Sequence, residues 1–318
     1  MSEHIEADFI VPMEFSEMRL DQAVAQLMPE HSRSRIQGWI KSGELKVNER
    51  TCRPKDKVIV GDVINIDVDV PSLDIWQPEE IPLNVVYQDD HIMIINKAAG
   101  MVVHPAAGNY SGTLLNALLF QCPKIDTLPR AGIVHRLDKD TSGLMVVAKS
   151  LIAHTSLVAQ LQARTMGREY EAIAMGEMTG GGTVCEPIAR HPQNRLKMAV
   201  HPNGKEAVTH YRVLERFECY THILCKLETG RTHQIRVHME HIHHPLLGDP
   251  VYGGRLKLPK GADDETIEAL RQFSRQALHA RKLTLTHPHT GETMFWETEA
   301  PEDMQQMLAC IRRLAEAR

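Results

Sequence analysis

The sequence lacks the features of a membrane-bound or secreted protein. None of its apolar runs approaches the roughly 20 residues that a membrane-spanning helix needs, and its first eight residues are acidic where a signal peptide would be cationic. The six cysteines form no C-x-x-C pair, which is typical of reduced thiols. We therefore expect a cytoplasmic protein with no membrane association, built from one large and one small domain and, by default, monomeric.

Metal-binding and kinase motifs are also missing. A histidine-rich stretch contains no H-E-x-x-H pattern and has no cysteine nearby. Its members are His233, His238, His241, His243 and His244. We expect no metal site, and we interpret the histidines as a polar helix surface or an RNA contact.

The segment 135–138 reads H-R-L-D, but its inserted leucine and the absence of D-F-G and G-x-G-x-x-G motifs argue against a kinase.

Basic charge is concentrated in one segment, although the whole chain has a net charge of −5. Residues 19–57 carry nine Lys and Arg against five acids, a net charge of +4, between residues 1–18 at −5 and residues 58–90 at −8. A basic segment within acidic flanks indicates a local phosphate-binding face, although a solvated helix surface is the simpler alternative. The candidate RNA-binding residues of this segment are Arg19, Arg33, Arg35 and Lys41.

The same segment predicts a small α+β domain over residues 15–75. Apolar residues at helical spacing indicate two short helices, and strands are expected near 58–60 and 63–68. This order, with Arg and Lys on the helices, resembles the S4-type RNA-binding module, and a small helical cap on the larger domain is the alternative. Residues 1–14 are expected to form a tail, and residues 76–84 a linker.

Residues 85–318 predict the larger domain. Strands and helices alternate there without a regular βαβ rhythm, so we expect an α+β fold with a mixed, largely antiparallel sheet. The run 144–148 is expected to be a buried strand. The run 168–174 alternates as a strand that places Tyr170 opposite two glutamates. Thr232 is a plausible cap for the helix that follows it.

The most informative segment is 132–144, which joins two apolar runs and carries a histidine, a cation, two acids, two hydroxyls and a glycine. Because it leads into a buried strand, its polar groups should lie at the rim of a sheet, where Asp138 can be partly desolvated. Thr141 and Ser142 should brace the loop through bonds to the backbone, and Gly143 should supply a turn. A polar loop with a capping Asp138 and a solvated Arg136 is the alternative.

Within this segment, the string H-R-L-D-x-x-T-S-G-L resembles the signature of the pseudouridine synthases of the large-subunit ribosomal RNA type. The resemblance extends over residues 15–300. It implies the pseudouridine synthase fold, isomerisation of uridines in 23S rRNA or in an assembling large subunit, and no cofactor. The S4-like module and the D-K-D-T variant resemble the D type within the family, which implies uridines of the helix 69 stem-loop. A paralogue with another rRNA or tRNA target is the alternative.

The chemistry of the reaction and the resemblance together assign roles to four residues. Asp138 is the candidate catalytic carboxylate, either as nucleophile on C1′ or as stabiliser of positive charge there. Arg236, in G-R-T-H-Q-I-R, is the expected partner of Asp138 through a two-pronged guanidinium pairing. The resemblance implies that Tyr170 packs on the target base and takes part in ribose proton abstraction. It also implies that Arg136 fills the space that the flipped base leaves, although a phosphate-facing arginine is the alternative.

Two other functions remain compatible with the residues. An RNA N-glycosidase would cleave the same bond and let water complete the reaction. A non-catalytic RNA-binding protein would rely on the S4-like module alone, but it would not need Asp138, Tyr170 and Arg236 together. Release of tritium from C5-labelled uridine, measured with the amount of free uracil, separates all three functions.

Overall fold

The chain divides into two units, Met1–Ile75 and Trp76–Arg318. The computed structural model describes residues 2–28, 31, 33–71, 76–105, 109–194 and 196–316. Among these residues, no helix combines the length and the apolar character that crossing a membrane requires.

The first unit packs two helices on a four-stranded sheet. The helices are α1 (Leu20–Leu27) and α2 (Arg33–Ser42), and the strands are β1 (Ser2–Ile10), β2 (Leu45–Val47), β3 (Arg50–Thr51) and β4 (Val63–Pro71). The order in the sheet is β1-β4-β2-β3. Helix α1 buries Leu20 and Val24, and α2 buries Ile36 and Ile40, in a core that the sheet completes. The two predicted helices are therefore present, whereas residues 58–60 form no strand.

Strand β1 lies where we expected a tail. It pairs antiparallel with β4 over nine positions, from Ser2 opposite Pro71 to Ile10 opposite Val63. Glu6 and Asp8 are exposed, whereas Ile5 and Phe9 pack against the core. The acidic segment thus has the alternation of a half-buried strand. Its charge concealed this pattern because the acids occupy the solvent face.

A nine-stranded sheet forms the centre of the second unit. Its strands are β5 (Val85–Gln88), β6 (Ile92–Lys97), β7 (Ser142–Ala148), β8 (Gly167–Met175), β9 (Gly182–Cys185), β12 (Val208–Arg216), β13 (Tyr220–Leu227), β14 (Leu278–Thr286) and β15 (Thr293–Glu297), while β10 (Ile188–Arg190) and β11 (Met198–Val200) form a separate pair. The sheet order is β5-β6-β7-β14-β8-β13-β12-β9, with β15 paired to β14. Strands β7 and β14 are parallel, and the other pairs described are antiparallel. The predicted α+β fold with a mixed, largely antiparallel sheet is confirmed.

The helices of this unit are α3 (Leu114–Gln121), α4 (Leu151–Gln162), α5 (Gln234–His241), α6 (Asp264–Gln272) and α7 (Glu302–Glu316). Both faces of the sheet are covered, as β7 illustrates. Met145 and Val147 belong to one apolar cluster, and Leu144 and Val146 to another. Every residue of β7 is therefore buried. The strand that follows the signature segment is in the core, as predicted.

Residues 76–84 belong to the second unit and are not a free linker. Trp76 packs against its core. The Asn116 side chain donates to the Gln77 carbonyl at 2.9 Å, and the Glu79 amide donates to the Asn116 carbonyl at 3.0 Å. The prolines of this stretch suggested an unattached connection, whereas its backbone is bound to α3.

Gly143 allows the close approach of β7 and β14. We expected it in a turn, but it lies inside β7 with φ +118°, opposite Ala280 of β14. A Cβ atom at this position would lie 2.3 Å from the Ala280 carbonyl oxygen and 2.5 Å from its nitrogen. Both the backbone angle and the contact therefore require glycine.

We expect Gly143→Ala to lower the free energy of unfolding by about 2–5 kcal/mol, because it combines a strained φ with a backbone clash. Urea unfolding followed by circular dichroism measures this change. Gly180→Ala is the matched control, since no atom lies within 4 Å of a Cβ built there. Equal stability of the two variants would contradict the proposed constraint.

Candidate active site

Lys97 holds the loop that carries Asp138 in place. Its side chain is buried, and its ammonium donates to the carbonyls of Ala98, Met101 and Lys139 at 2.8, 3.0 and 2.9 Å. Burial lowers the pKa of Lys97 to about 8, a fall that the nearby charges of Asp140 and Asp138 oppose. All three ammonium donors are used within the protein, so Lys97 holds the loop that carries Asp138.

Thr141 and Ser142 brace the same loop through side chains, not through the backbone as expected. The Gln276 amide donates to the Thr141 hydroxyl at 3.0 Å, and the Ser142 hydroxyl is 2.9 Å from Nδ1 of His279. All four side chains are buried. The loop is thus attached to the segment that enters β14.

Asp138 lies in a cavity of about 950 Å³ in the second unit. Its side chain is 18% exposed. The cavity is also lined by three of the other predicted site residues, Arg136, Tyr170 and Arg236. The structure therefore brings together the four residues to which the sequence assigned chemistry.

The pairing of Arg236 differs from the prediction. Its two-pronged contact is with Asp249, through Nε to Oδ2 at 2.7 Å and Nη2 to Oδ1 at 2.9 Å. The contact of Arg236 with Asp138 is one hydrogen bond, from Nη1 to Oδ2 at 3.0 Å. The side chain of Asp249 is fully buried, and its Oδ1 also accepts from the amides of Val251 and Tyr252. Arg236 is thus anchored by Asp249 and presents one remaining donor to Asp138.

Electrostatics keep this ion pair charged. Burial alone would raise the pKa of Asp249, but the hydrogen bonds and charge of Arg236, with the two amides, hold it below its usual value. Burial would likewise lower the pKa of Arg236, but Asp249 and then Asp138 raise it above its usual value. One buried cation therefore lies between two carboxylates, and the more exposed of these is Asp138.

His233 faces the other oxygen of Asp138, with Nε2 at 3.9 Å from Oδ1. The Tyr252 hydroxyl accepts from the Met198 amide at 2.8 Å and lies 2.8 Å from Nδ1 of His233. Burial lowers the pKa of His233, although the charge of Asp138 opposes this fall. A neutral ring that accepts from Tyr252 at Nδ1 carries its proton on Nε2, the nitrogen on the side of Asp138.

Sequence reasoning missed Asp249, Tyr252 and the role of His233. Asp249 and Tyr252 lie in G-D-P-V-Y-G, a turn whose spacing matches no catalytic pattern. His233 is inside a motif that we did use, but we interpreted it as part of a polar helix surface. It is the N-cap residue of α5, with φ +57°, in place of the predicted cap Thr232.

Tyr170 and Arg136 line the cavity in different ways. Tyr170 is buried on β8, 6% exposed. Burial raises the pKa of its hydroxyl, the charge of Arg168 opposes this rise, and the charge of Asp138 adds to it. Arg136 is exposed. The predicted alternation of β8 is confirmed, since Tyr170 lies on the buried face.

The basic residues of the first unit are partly neutralised. Asp21 is fully buried and accepts hydrogen bonds from Arg19 at 3.1 Å, from Arg33 at 2.9 Å and from the Gln37 amide at 2.6 Å. Burial would raise the pKa of Asp21, but these hydrogen bonds lower it. Arg19 and Arg33 remain nearly half exposed. Further along α2, Arg35 is half-buried and Lys41 is exposed.

In the part of the chain that the structure describes, no group of three or more His, Cys, Asp or Glu is arranged to hold a metal ion. Besides His233, which contacts Tyr252, two further residues of the histidine-rich stretch have structural contacts. His238 is 2.9 Å from both the Thr209 hydroxyl and the Glu186 carbonyl, and His244 is 2.9 Å from the Met175 carbonyl.

Comparison with known families assigns both units. Residues 91–241 match the family described as RNA pseudouridylate synthase, and residues 18–64 match the S4 domain. A solved human structure, RNA Pseudouridylate Synthase Domain Containing 4, superposes with a TM-score of 0.57 at 26% identity, covering 72% of this chain and 93% of that one. The predicted pseudouridine synthase fold is confirmed.

Two bacterial relatives align over nearly the whole chain. Ribosomal large subunit pseudouridine synthase D of Pseudomonas aeruginosa PAO1 is 57% identical over 317 residues, covering 100% of this chain and 99% of that protein. The protein of the same name from Escherichia coli K12 is 56% identical over 295 residues, covering 92% and 90%. The chain therefore belongs to the RNA pseudouridylate synthase family, in the group of the ribosomal large subunit pseudouridine synthases D.

Proposed function

We propose that this protein isomerises uridines of large-subunit ribosomal RNA to pseudouridine, with Asp138 as the catalytic carboxylate. One observation carries the proposal: a partly exposed carboxylate lies in a large cavity and is oriented by an arginine that a second, buried carboxylate anchors. Because Asp249 already balances Arg236, Asp138 keeps its negative charge available for the positive charge that develops at C1′.

The isomerisation uses the residues of the cavity as follows. The bond between C1′ and N1 of uracil breaks, with Asp138 either attacking C1′ or stabilising the oxocarbenium ion. Tyr170 packs on the base and takes part in removal of a ribose proton, which returns to the same ribose carbon when C1′ bonds to C5. The base turns, C1′ bonds to C5, the C5 proton is lost and N1 is protonated. No oxidant, reductant or metal ion is required by this sequence of steps.

Arg136 is proposed to occupy the space of the flipped base. A uridine inside folded RNA must leave its stack to reach the cavity, at a cost of a few kcal/mol. Arg136 lines the cavity, two residues before Asp138, and its side chain is exposed. A long planar cation in this position can stack in the vacated site and contact phosphate at the same time.

The choice of ribosomal RNA rests on the relatives and on the first unit. Both bacterial relatives are named for the ribosomal large subunit. Arg19, Arg33, Arg35 and Lys41 of the S4 domain would contact RNA phosphates. The D-type signature supports uridines of the helix 69 stem-loop as targets. A cytoplasmic monomer acting on 23S rRNA or an assembling subunit fits this substrate.

The experiment that tests the proposal uses a helix 69 stem-loop RNA labelled with tritium at C5 of uridine. We expect tritium release that equals the pseudouridine formed, with no free uracil. Release of uracil would identify an N-glycosidase, and binding without tritium release would identify a non-catalytic RNA-binding protein. Activity on another rRNA or tRNA segment alone would correct the target and keep the reaction.

We expect Asp138→Asn to abolish pseudouridine formation, because it preserves the shape of the side chain and removes its charge. RNA affinity should stay within a few-fold of the wild type, since the cavity and the S4 domain are unchanged. Tritium release and fluorescence anisotropy measure the two properties. Measurable turnover by this variant would refute the role of Asp138.

Arg236→Lys should reduce the maximal rate by at least about a hundredfold. A lysine cannot hold Asp249 at two points and still direct a donor at Asp138. Arg312→Lys is the matched control, because Arg312 of α7 makes a similar two-pronged pair with Glu215 of β12. Single-turnover kinetics compare the two variants. Similar rates for both would show that the geometry at Arg236 is not needed.

Deletion of residues 1–75 should leave a folded and active second unit, since the deletion ends before Trp76, which packs in that unit's core. RNA binding should weaken and depend less steeply on salt, because several basic residues are removed. The maximal single-turnover rate at saturating RNA should not change. If that rate fell strongly in a variant folded by circular dichroism, the first unit would have to contribute to the active site.

A further inference from the structure

Arg168 is a buried guanidinium with few partners. It is 7% exposed, lines the cavity and lies two residues before Tyr170 on the same face of β8. Its Nη2 donates to the Glu228 carbonyl at 3.4 Å, and its Nε is buried without a hydrogen-bond partner in the described residues. A guanidinium has five N–H donors, so most donors of Arg168 have no protein partner among the described residues.

The nearby carboxylates have other partners. The Glu228 carboxylate is 2.6 Å from His210 and 3.8 Å from Arg164, and Asp138 pairs with Arg236. No ion pair joins Arg168 to a carboxylate in the described part of the chain. Arg236, by contrast, has two carboxylate partners. A buried charge without a counter-charge is costly, and such a group in a native structure needs an explanation.

The neighbouring turn leaves room for this guanidinium. A Cβ atom at Gly230 would lie 2.5 Å from Nη1 of Arg168. Gly230 belongs to the same cavity lining. A larger residue would displace the guanidinium, so glycine at this position leaves room for Arg168 in the cavity lining.

We propose that Arg168 binds a backbone phosphate of the RNA, one of the two that flank the uridine in the cavity. This inference rests on the proposed function, because it takes the cavity as the uridine site. Uracil is neutral, so the phosphate is the anion that the substrate brings to an unpaired cation. The guanidinium fork also matches phosphate oxygens in geometry.

A different role for the same charge would be to stabilise a deprotonated Tyr170. The two roles differ in what they depend on. A phosphate contact depends on the charge of the RNA, whereas a contact with Tyr170 depends on pH and is independent of the RNA backbone.

The test combines a protein change with an RNA change. Arg168→Met removes the cation, and a methylphosphonate on either flanking phosphate removes the RNA charge at that point. Affinities are measured by fluorescence anisotropy, each in an Asp138→Asn background that prevents turnover during the titration. Arg164→Met is the matched control, since it removes a cation of the same cavity that is already paired with Glu206.

We expect Arg168→Met to weaken binding of unmodified RNA about tenfold or more, the effect of losing a charge-assisted hydrogen bond. One of the two methylphosphonates should weaken RNA binding by the parent protein by a similar factor. It should not weaken RNA binding by the Arg168→Met protein any further. The Arg164→Met protein should remain sensitive to that methylphosphonate. Equal sensitivity of the Arg168→Met protein and the parent to both methylphosphonates would overturn the proposal.

Two further measurements keep the outcome clear. Arg168→Lys retains the charge, so it should recover part of the sensitivity to methylphosphonate, and circular dichroism shows whether each variant is folded. The contrary result is that Arg168→Met alters the pH dependence of the single-turnover rate and leaves the effect of the methylphosphonates on affinity unchanged. The charge of Arg168 would then stabilise a deprotonated Tyr170, and the proposal would be wrong. Tritium release by the wild type tests the proposed function separately, because the affinity measurements involve no turnover.

Discussion

Two nitrogens of the Arg236 guanidinium bind Asp249, and this ion pair determines where the third nitrogen points. Asp249 is itself fixed, since its side chain is fully buried and accepts two backbone amides. The direction of the hydrogen bond to Asp138 is therefore set before RNA arrives. In the proposed reaction, a donor that is already in place needs no reorganisation when charge develops at the sugar, which is how preorganised sites stabilise a transition state.

Other residues of the second unit hold the backbone around Asp138 and orient its neighbours. Lys97 binds three carbonyls and holds the loop that carries Asp138, while Gly143 lets the strand after that loop approach β14. Tyr252 contacts both neighbours of Asp138. Its hydroxyl orients His233, and its ring lies 5.0 Å from the Arg236 guanidinium. The Asp138 carboxylate thus accepts from Arg236 at Oδ2, and His233 lies 3.9 Å from its Oδ1.

The spacing of apolar residues along the sequence correctly predicted several helices and strands. The buried strand 144–148, the alternation around Tyr170 and the helices of the first unit follow from the spacing of apolar residues. The same reasoning failed where a partner distant in the fold decides the outcome. Nothing near Arg236 indicates that its fork binds Asp249 and not Asp138, and nothing near Gly143 indicates a neighbouring strand. Strand β1 was missed because its acidic face suggested a solvated tail.

The pairing of β1 with β4 brings the two ends of the first unit together, since Ser2 lies opposite Pro71. A module whose first and last residues lie side by side can be inserted into, or removed from, a longer polypeptide at a single site. Its own sheet remains complete after such a transfer, because both terminal strands stay within it. The architecture of this unit therefore suits the shuffling of an RNA-binding module among enzymes that differ in their catalytic domains.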